Sequence, residues 1–508
     1  MIRSTLLIVL SFLFYSESFL QCPALMEEFG NDGIVLTNFT SNYEDRAFAS
    51  VRKPNGEIIV GGYTKENGSV QKIGLAHYKP NGELNTAVTN GGKVKLIGPG
   101  TPQNLRHMKW TADGKLVVGG FIRFITNDHF LFARLTADGK MDPGFNTYGW
   151  KGLLYKSSEI DEVRSFEILP SGNIYAVGVI NPQYVIPSKN MVLIMVTPDG
   201  KRDSTFGVDG MKEIKFANGV DDMAMCSLPS GTDMLIGGYF DNQEGNVSGF
   251  IMKVNQVGTV LWTKTYQPNG FKTYITNMIK LTDGNLLASG FCLDGSSSYP
   301  VIFKVNTSGN LIEDFGENGI VIIETNQSTR GHRLVETNNA YYLMANVSGP
   351  FNIELYRFFK NGTLNTDFGA NGLMELDYEN KADDGSGFYW LGGDSLLITG
   401  TTNSDFALWK IDACVETTSV LSPEINDVNI FPNPVLDDIT IQLPENFQMV
   451  DRIKIFNIDG RFIKSSSPEE LNQESNQISI PVNSLHPGVF IARIQSGGNT
   501  RLVKFVKI

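Results

Sequence analysis

One phrase, a polar turn followed by an apolar strand that ends in glycine, returns along this chain at nearly constant intervals. It reads PNGEIIVGGY at Gly56, ADGKLVVGGF at Gly114, PSGNIYAVGV at Gly172, PSGTDMLIGGY at Gly231 and TDGNLLASGF at Gly284. Looser copies are TNNAYYLMANV at Asn339 and LGGDSLLITGT at Gly393. By subtraction the successive intervals are 58, 58, 59, 53, 55 and 54 residues. A period of that length, held seven times, restricts the chain to an array of like units that bury their faces against one another.

Each unit carries two further landmarks. About half a repeat later comes a second strand and turn: LAHYKPNG, FARLTADG, LIMVTPDG, IMKVNQVG, IFKVNTSG, LYRFFKNG and finally ALWKIDAC. A third pairs Phe and Gly with a later Gly, as in EEFGNDG, DPGFNTYG, DSTFGVDG, EDFGENG and TDFGANG, and is eroded near residues 86–92 and 258–266. Asp-Gly and Asn-Gly favour the positive φ of tight hairpin turns. Strands such as EIIVGG and KLVVGG are apolar almost throughout, as expected for small sheets covered on both faces. Helical periodicity does not compete anywhere in residues 25–412. The expected fold class is therefore all-β: a seven-bladed β-propeller over residues 22–412, with a linear β-solenoid as the rival. The first FGNDG precedes repeat one and nothing like it follows repeat seven. Residues 34–37 are therefore expected to complete the last blade and close the ring, removing open sheet edges. The paired FGxxG and DGKxxVGG landmarks resemble the bacterial delta-60 repeat proteins, a likeness that implies a propeller and leaves the ligand open.

Residues 1–20 read as a signal peptide. Arg3 supplies the positive start and LLIVLSFLF, residues 6–14, an apolar run too short to span a bilayer. Cys22 raises a lipoprotein alternative, but the residues before it are not small. No other stretch approaches 18 apolar residues, so a transmembrane segment is not expected in the mature chain. A net charge of −12 argues against nucleic acid as a partner. None of the four cysteines has metal-ligand spacing. Cys22 and Cys414 bracket the repeats and form a candidate disulfide, whereas Cys226 and Cys292 read as inert core thiols.

Beyond a Thr, Ser and Pro-containing linker at 413–427 the pattern changes. Residues 428–508 contain NIFPNPVLDDITIQLP, DRIKIFNIDGRFIKS, NQISIPVNSLHPGVFIARIQSGG and TRLVKFVKI, enough short strands for a small immunoglobulin-like β-sandwich. This stretch is similar to the type A sorting domain of the type IX secretion system of Bacteroidetes. The likeness rests on Phe431, Pro432, Asn433 and Pro434, on Asp459 and Gly460 in IFNIDGR, on Pro487 and Gly488 in LHPGVFIARI, and on the basic-apolar terminus. It implies that the secretion translocon is a partner and that the protein is secreted or held on the outer-membrane surface. An ordinary adhesive β-domain is the alternative.

No pattern of a nucleophile elbow, phosphate loop or zinc protease occurs, and no catalytic residue is assigned. Of the five histidines, His77, His107, His129, His332 and His486, the first two lie in strand-like segments and read as structural. Acidic residues recur about ten positions ahead of the landmark glycines: Asp45, Asp161, Asp221 with Asp222, and Asp383 with Asp384. They would ring one face either as a cation or polar-ligand site or, more simply, as caps for backbone N–H groups. No cofactor is expected; calcium is an option that no motif supports. Asp142, Asp203, Asp314 and Asp367 precede the Phe of the third landmark and read as turn formers. Tyr63, Phe121, Tyr239 and Phe291 follow the landmark glycines, and packing between blades is the simpler reading for them than a ligand platform. The expected function is a surface binding or adhesion protein for a glycan or protein. A glycan hydrolase or lyase and a scaffold for other surface proteins are the alternatives.

Overall fold

A computed structural model describes residues 23–508 apart from 41–42, 67–69, 97, 99, 101, 126, 156–159, 182–188, 217–220, 242–244, 296, 350, 414–427, 444–449, 451, 458–461, 467–471, 475–476 and 497–498. The signal-peptide segment, the linker, the Cys22–Cys414 pairing and the Asp459-Gly460 turn lie outside the described residues. The chain divides into two compact units, one of them Leu25–Ala413.

That unit is a β-propeller. Its described residues form seven antiparallel sheets, six of them built from consecutive strands. The inner strands are Asp45–Arg52, Gln103–Trp110, Asp161–Ile168, Asp222–Ser230, Lys272–Lys280, Thr329–Glu336 and Asp383–Gly392. Each lies against the inner strand of the next sheet and the seventh lies against the first, so the sheets enclose a central channel. Second and third strands are buried on both faces; Ile174–Ile180 and Asn190–Val196 are buried at every position. Ile34–Thr37 pairs with Asp405–Asp412 as the outer strand of the seventh sheet. The N-terminal segment thus closes the ring, as its unmatched FGNDG foretells.

Two devices explain the repeat. Every inner strand shifts register near its start, between Ala47 and Ala49 in the first sheet and between Ile275 and Asn277 in the fifth. The same shift recurs in the other five sheets. These β-bulges push the carbonyl of the residue preceding Ala47, Ile275 and their equivalents toward the neighbouring strand. A Cβ on Gly62, Gly120, Gly238, Gly290 or Gly400 would collide with that oxygen, on Arg46, Asn104, Met223, Tyr274 and Asp384 respectively. The landmark glycine is therefore a space requirement of the bulge. In the sixth sheet Ala345 takes its place, and its partner across the bulge is Gly331.

The second device is a peg between repeats. The Phe of the third landmark packs on the turn glycine of the following second landmark: Phe29 on Gly82, Phe145 on Gly200, Phe206 on Gly258 and Phe315 on Gly362. Where the landmark is eroded the contact survives with other side chains, Val88 against Gly139 and Trp262 against Gly309. Asp142 and Asp203 shape the turns ahead of their pegs, accepting from the N–H groups of Gly144 and Thr205 at 2.9 and 3.1 Å. In the sixth repeat Asn365 does this, accepting from the Asp367 N–H at 3.1 Å. Asp314 and Asp367 correct the expectation. They stand immediately before the Phe and are exposed, because the bonding position is three residues ahead of it.

The C-terminal module consists of two four-stranded sheets. They share one core that includes Ile439, Ile441 and Ile478 from one sheet and Ile455, Ala492 and Phe505 from the other. The sheets are antiparallel throughout.

Candidate functional site

The acidic residues ahead of the landmark glycines start the inner strands, and their side chains turn back to the backbone. Asp45, Asp161, Asp222 and Asp383 accept from the N–H groups of Phe39, Tyr155, Phe216 and Tyr378 at 2.6, 2.6, 2.9 and 2.7 Å. Gln103, Thr273 and Thr329 hold the same position in the other sheets, bonding to backbone carbonyls instead. Burial pushes the carboxyls of Asp222 and Asp383 up to about 6, against the lowering effect of their backbone hydrogen bonds. Asp221 likewise accepts from the Lys189 N–H at 2.9 Å, whereas Asp384 is no cap, its carboxylate being taken by Arg46 and Asn346. Among the described residues no three His, Cys, Asp or Glu side chains gather as a metal site.

Side chains of the bulged inner strands also join neighbouring blades. His107 accepts from the Phe166 N–H at 3.1 Å through Nδ1, and Asn277 from the Leu334 N–H at 3.3 Å through Oδ1. Ser165 and Ser227 share a hydrogen bond of 2.8 Å. Burial drives the His107 imidazole well below its usual range, and His77 is pushed down to about 4 by burial and by Lys53. Both are structural groups, neutral at pH 7.

At the end of the channel where the inner strands begin lies a cavity of about 500 Å³. It is lined by residues of the first, fourth, fifth, sixth and seventh blades, among them Arg46, Thr276, Phe291, Arg330, Asn346 and Asp384. Its volume is in the range of small-molecule sites. Arg46 forms an ion pair with Asp384 at 2.8 Å. The other oxygen of Asp384 accepts from the Asn346 amide at 2.6 Å, and Asn346 in turn accepts from the Gly385 N–H at 3.0 Å. Glu44, on the cavity wall, pairs with Lys65. His332 also lines the cavity, and burial and Arg333 hold it well below its usual range.

The aromatic residues after the landmark glycines divide. Tyr63 is 9% exposed, whereas Phe121, Tyr239 and Phe291 are only partly buried. Phe291 and Tyr239 extend into an aromatic row: Tyr239 meets Tyr274 edge to face at 4.7 Å, and Tyr274 stacks on Phe291 at 4.5 Å. The Arg330 guanidinium lies over the Phe291 ring, 4.9 Å from its centre. Pure packing between blades therefore does not describe Phe291. It carries a cation at the cavity. Sequence reading had no signal for Arg330 or Asn346, because which strand residues face the channel depends on the bulge.

In the C-terminal module the Phe431-Pro432 and Asn433-Pro434 peptide bonds are both cis. Asn433 accepts from the Val506 N–H at 2.8 Å and donates to the Lys504 carbonyl at 3.4 Å. Val435 is fully buried and donates its N–H to Val506 at 2.8 Å. The Phe-Pro-Asn-Pro segment is thus fastened to the last strand. Phe431 is 46% exposed, Pro487 is exposed and Gly488 begins the strand Gly488–Ser496.

Comparison with protein families agrees with both units. The model described as "Domain of unknown function (DUF5122) beta-propeller" matches residues 53–87 and 111–145. The chain is a β-propeller protein. The model described as "Secretion system C-terminal sorting domain" matches residues 429–508, and the propeller is accordingly cargo for export to the cell surface or beyond it. No curated protein matches the chain. Among solved structures, the extracellular domains 1–2 of Drosophila Semaphorin 1a are 7% identical. That likeness covers 73% of this chain and 87% of the other, at a TM-score of 0.42. The Nup133 β-propeller domain of Vanderwaltozyma polyspora is 11% identical, with 74% and 99% covered and a TM-score of 0.38. Likenesses this distant say nothing about function. No helix among the described residues is long and apolar enough to cross a membrane.

Proposed function

We propose that this is an exported binding protein whose ligand occupies the cavity at the mouth of the propeller channel. The observation that supports this most is the convergence there of polar groups from several blades around about 500 Å³. Glycoside hydrolysis needs two carboxyl groups free to act on one bond. Here Glu44 is held by Lys65, Asp383 by the Tyr378 N–H, and Asp384 by Arg46 and Asn346. That engagement favours binding over turnover. On the sorting module, exposed Phe431 and Pro487, with the fastened Asn433, are the features offered to the secretion machinery.

The test is a calorimetric screen of small glycans against the full chain and a Ser348→Trp variant. Ser348 is an exposed rim residue of the cavity, so an indole there fills the mouth without entering the core. Saturable binding that Ser348→Trp abolishes supports the reading. Binding that Ser348→Trp leaves unchanged overturns it, and release of a cleaved product gives precedence to the enzyme alternative.

A further inference from the structure

The cations of the inner strands are not equally satisfied. Arg46 has Asp384 at 2.8 Å. Arg106 and Arg164 share Glu162, the latter at 2.9 Å, and Lys109 has Glu167. Two guanidinium groups of the sixth blade, both on Thr329–Glu336, differ. Among the described residues neither Arg330 nor Arg333 has a carboxylate within ion-pair distance. Arg330 is exposed into the cavity and held over Phe291. Arg333 lies three residues further along the strand, with its Nε donating to the Ser386 carbonyl at 2.9 Å.

The planar fork of an arginine fits a carboxylate with two parallel hydrogen bonds, and Arg330 is exposed and has no carboxylate on it among the described residues. The three carboxylates described on the cavity wall are engaged elsewhere, Asp384 by Arg46 and Asn346, Asp383 by the Tyr378 N–H and Glu44 by Lys65, so none of them is paired with Arg330. Phe291 fixes the Arg330 side chain, lowering the entropy lost when it grips a ligand. We infer that the mouth cavity binds a small carboxylate-bearing ligand, with Arg330 as its primary contact and Arg333 adding positive charge from below.

This deepens the binding reading and rests on it. The experiment is calorimetry of the full chain with galacturonate, its uncharged counterpart galactose and inorganic phosphate. The expected result is binding of galacturonate that weakens as salt is raised, is at least about tenfold weaker for galactose, and is lost in Ser348→Trp. Arg330→Gln should weaken galacturonate binding by about tenfold or more, with partial recovery in Arg330→Lys. Galactose bound as tightly as galacturonate and blocked by Ser348→Trp would overturn the anion assignment while sparing the cavity as the binding site. Preference for phosphate would overturn the carboxylate assignment. Galacturonate binding indifferent to both Arg330→Gln and Ser348→Trp would sink the inference and the site together.

Discussion

Adding one methyl group at Gly290 tests the reason for the repeat. Gly290 lies in the second strand of the fifth blade, opposite the bulge between Ile275 and Asn277. Its backbone is outside the left-handed region, so alanine is conformationally at home there and the objection is purely spatial. A Cβ at this position would overlap the carbonyl oxygen of Tyr274. Backbone cannot swing aside as a side chain can, so the cost belongs at the upper end of overpacking, about 3 kcal/mol. The unit Leu25–Ala413 spans 389 residues. At roughly 2.1 cal/mol/K per residue its unfolding entropy is about 0.8 kcal/mol/K, and 3 kcal/mol then lowers the melting temperature by about 4 °C. Ala345→Gly, at the equivalent place in the sixth blade, should cost only about 0.5–1 kcal/mol, since the backbone there already accommodates a methyl. Differential scanning calorimetry of the full chain measures both. If Gly290→Ala melts within about 1 °C of the parent, the bulge does not dictate the glycine and the explanation of the landmark fails.

Three other outcomes are expected. The carboxyls of Asp222 and Asp383 sit at about 6 when folded against an ordinary 3.8, so the folded state binds their protons more tightly. Their contribution is therefore complete below about pH 4 and is lost as pH rises through about 6, each by about 3 kcal/mol. Asp222→Asn should flatten the melting-temperature profile between pH 4 and 7, and an unchanged slope would contradict this. Burial raises the thiols of Cys226 and Cys292 to about 12 and about 11. Mass spectrometry after native maleimide treatment should find both unlabelled, with labelling only after denaturation. Asn433→Ala should loosen the last strand of the sorting module by about 1 kcal/mol, visible as faster amide exchange at Val506; unchanged exchange would show that the side chain is not the fastener.

The propeller was legible in sequence because its devices are local and repeated. The turn returns every 53–59 residues, a glycine opposite the bulge and an aromatic peg accompany it in most repeats, and the unmatched first FGNDG pointed to closure by residues 34–37. The sorting module was equally readable, since Phe431 to Pro434 and Pro487-Gly488 stand together in short words. The capping role of Asp45, Asp161, Asp222 and Asp383 also followed from their recurrence. Val88 and Trp262 could not be recognised as pegs, because any bulky apolar side chain fills that gap and only the facing glycine identifies it. The cavity was beyond sequence altogether. Arg46 and Asp384 are 338 positions apart yet share an ion pair, and Phe291 meets Arg330 only because the fifth and sixth blades are neighbours in the ring. Repetition determines the scaffold from within each unit. The site is made of what differs between units, and only closure of the ring brings those differences together.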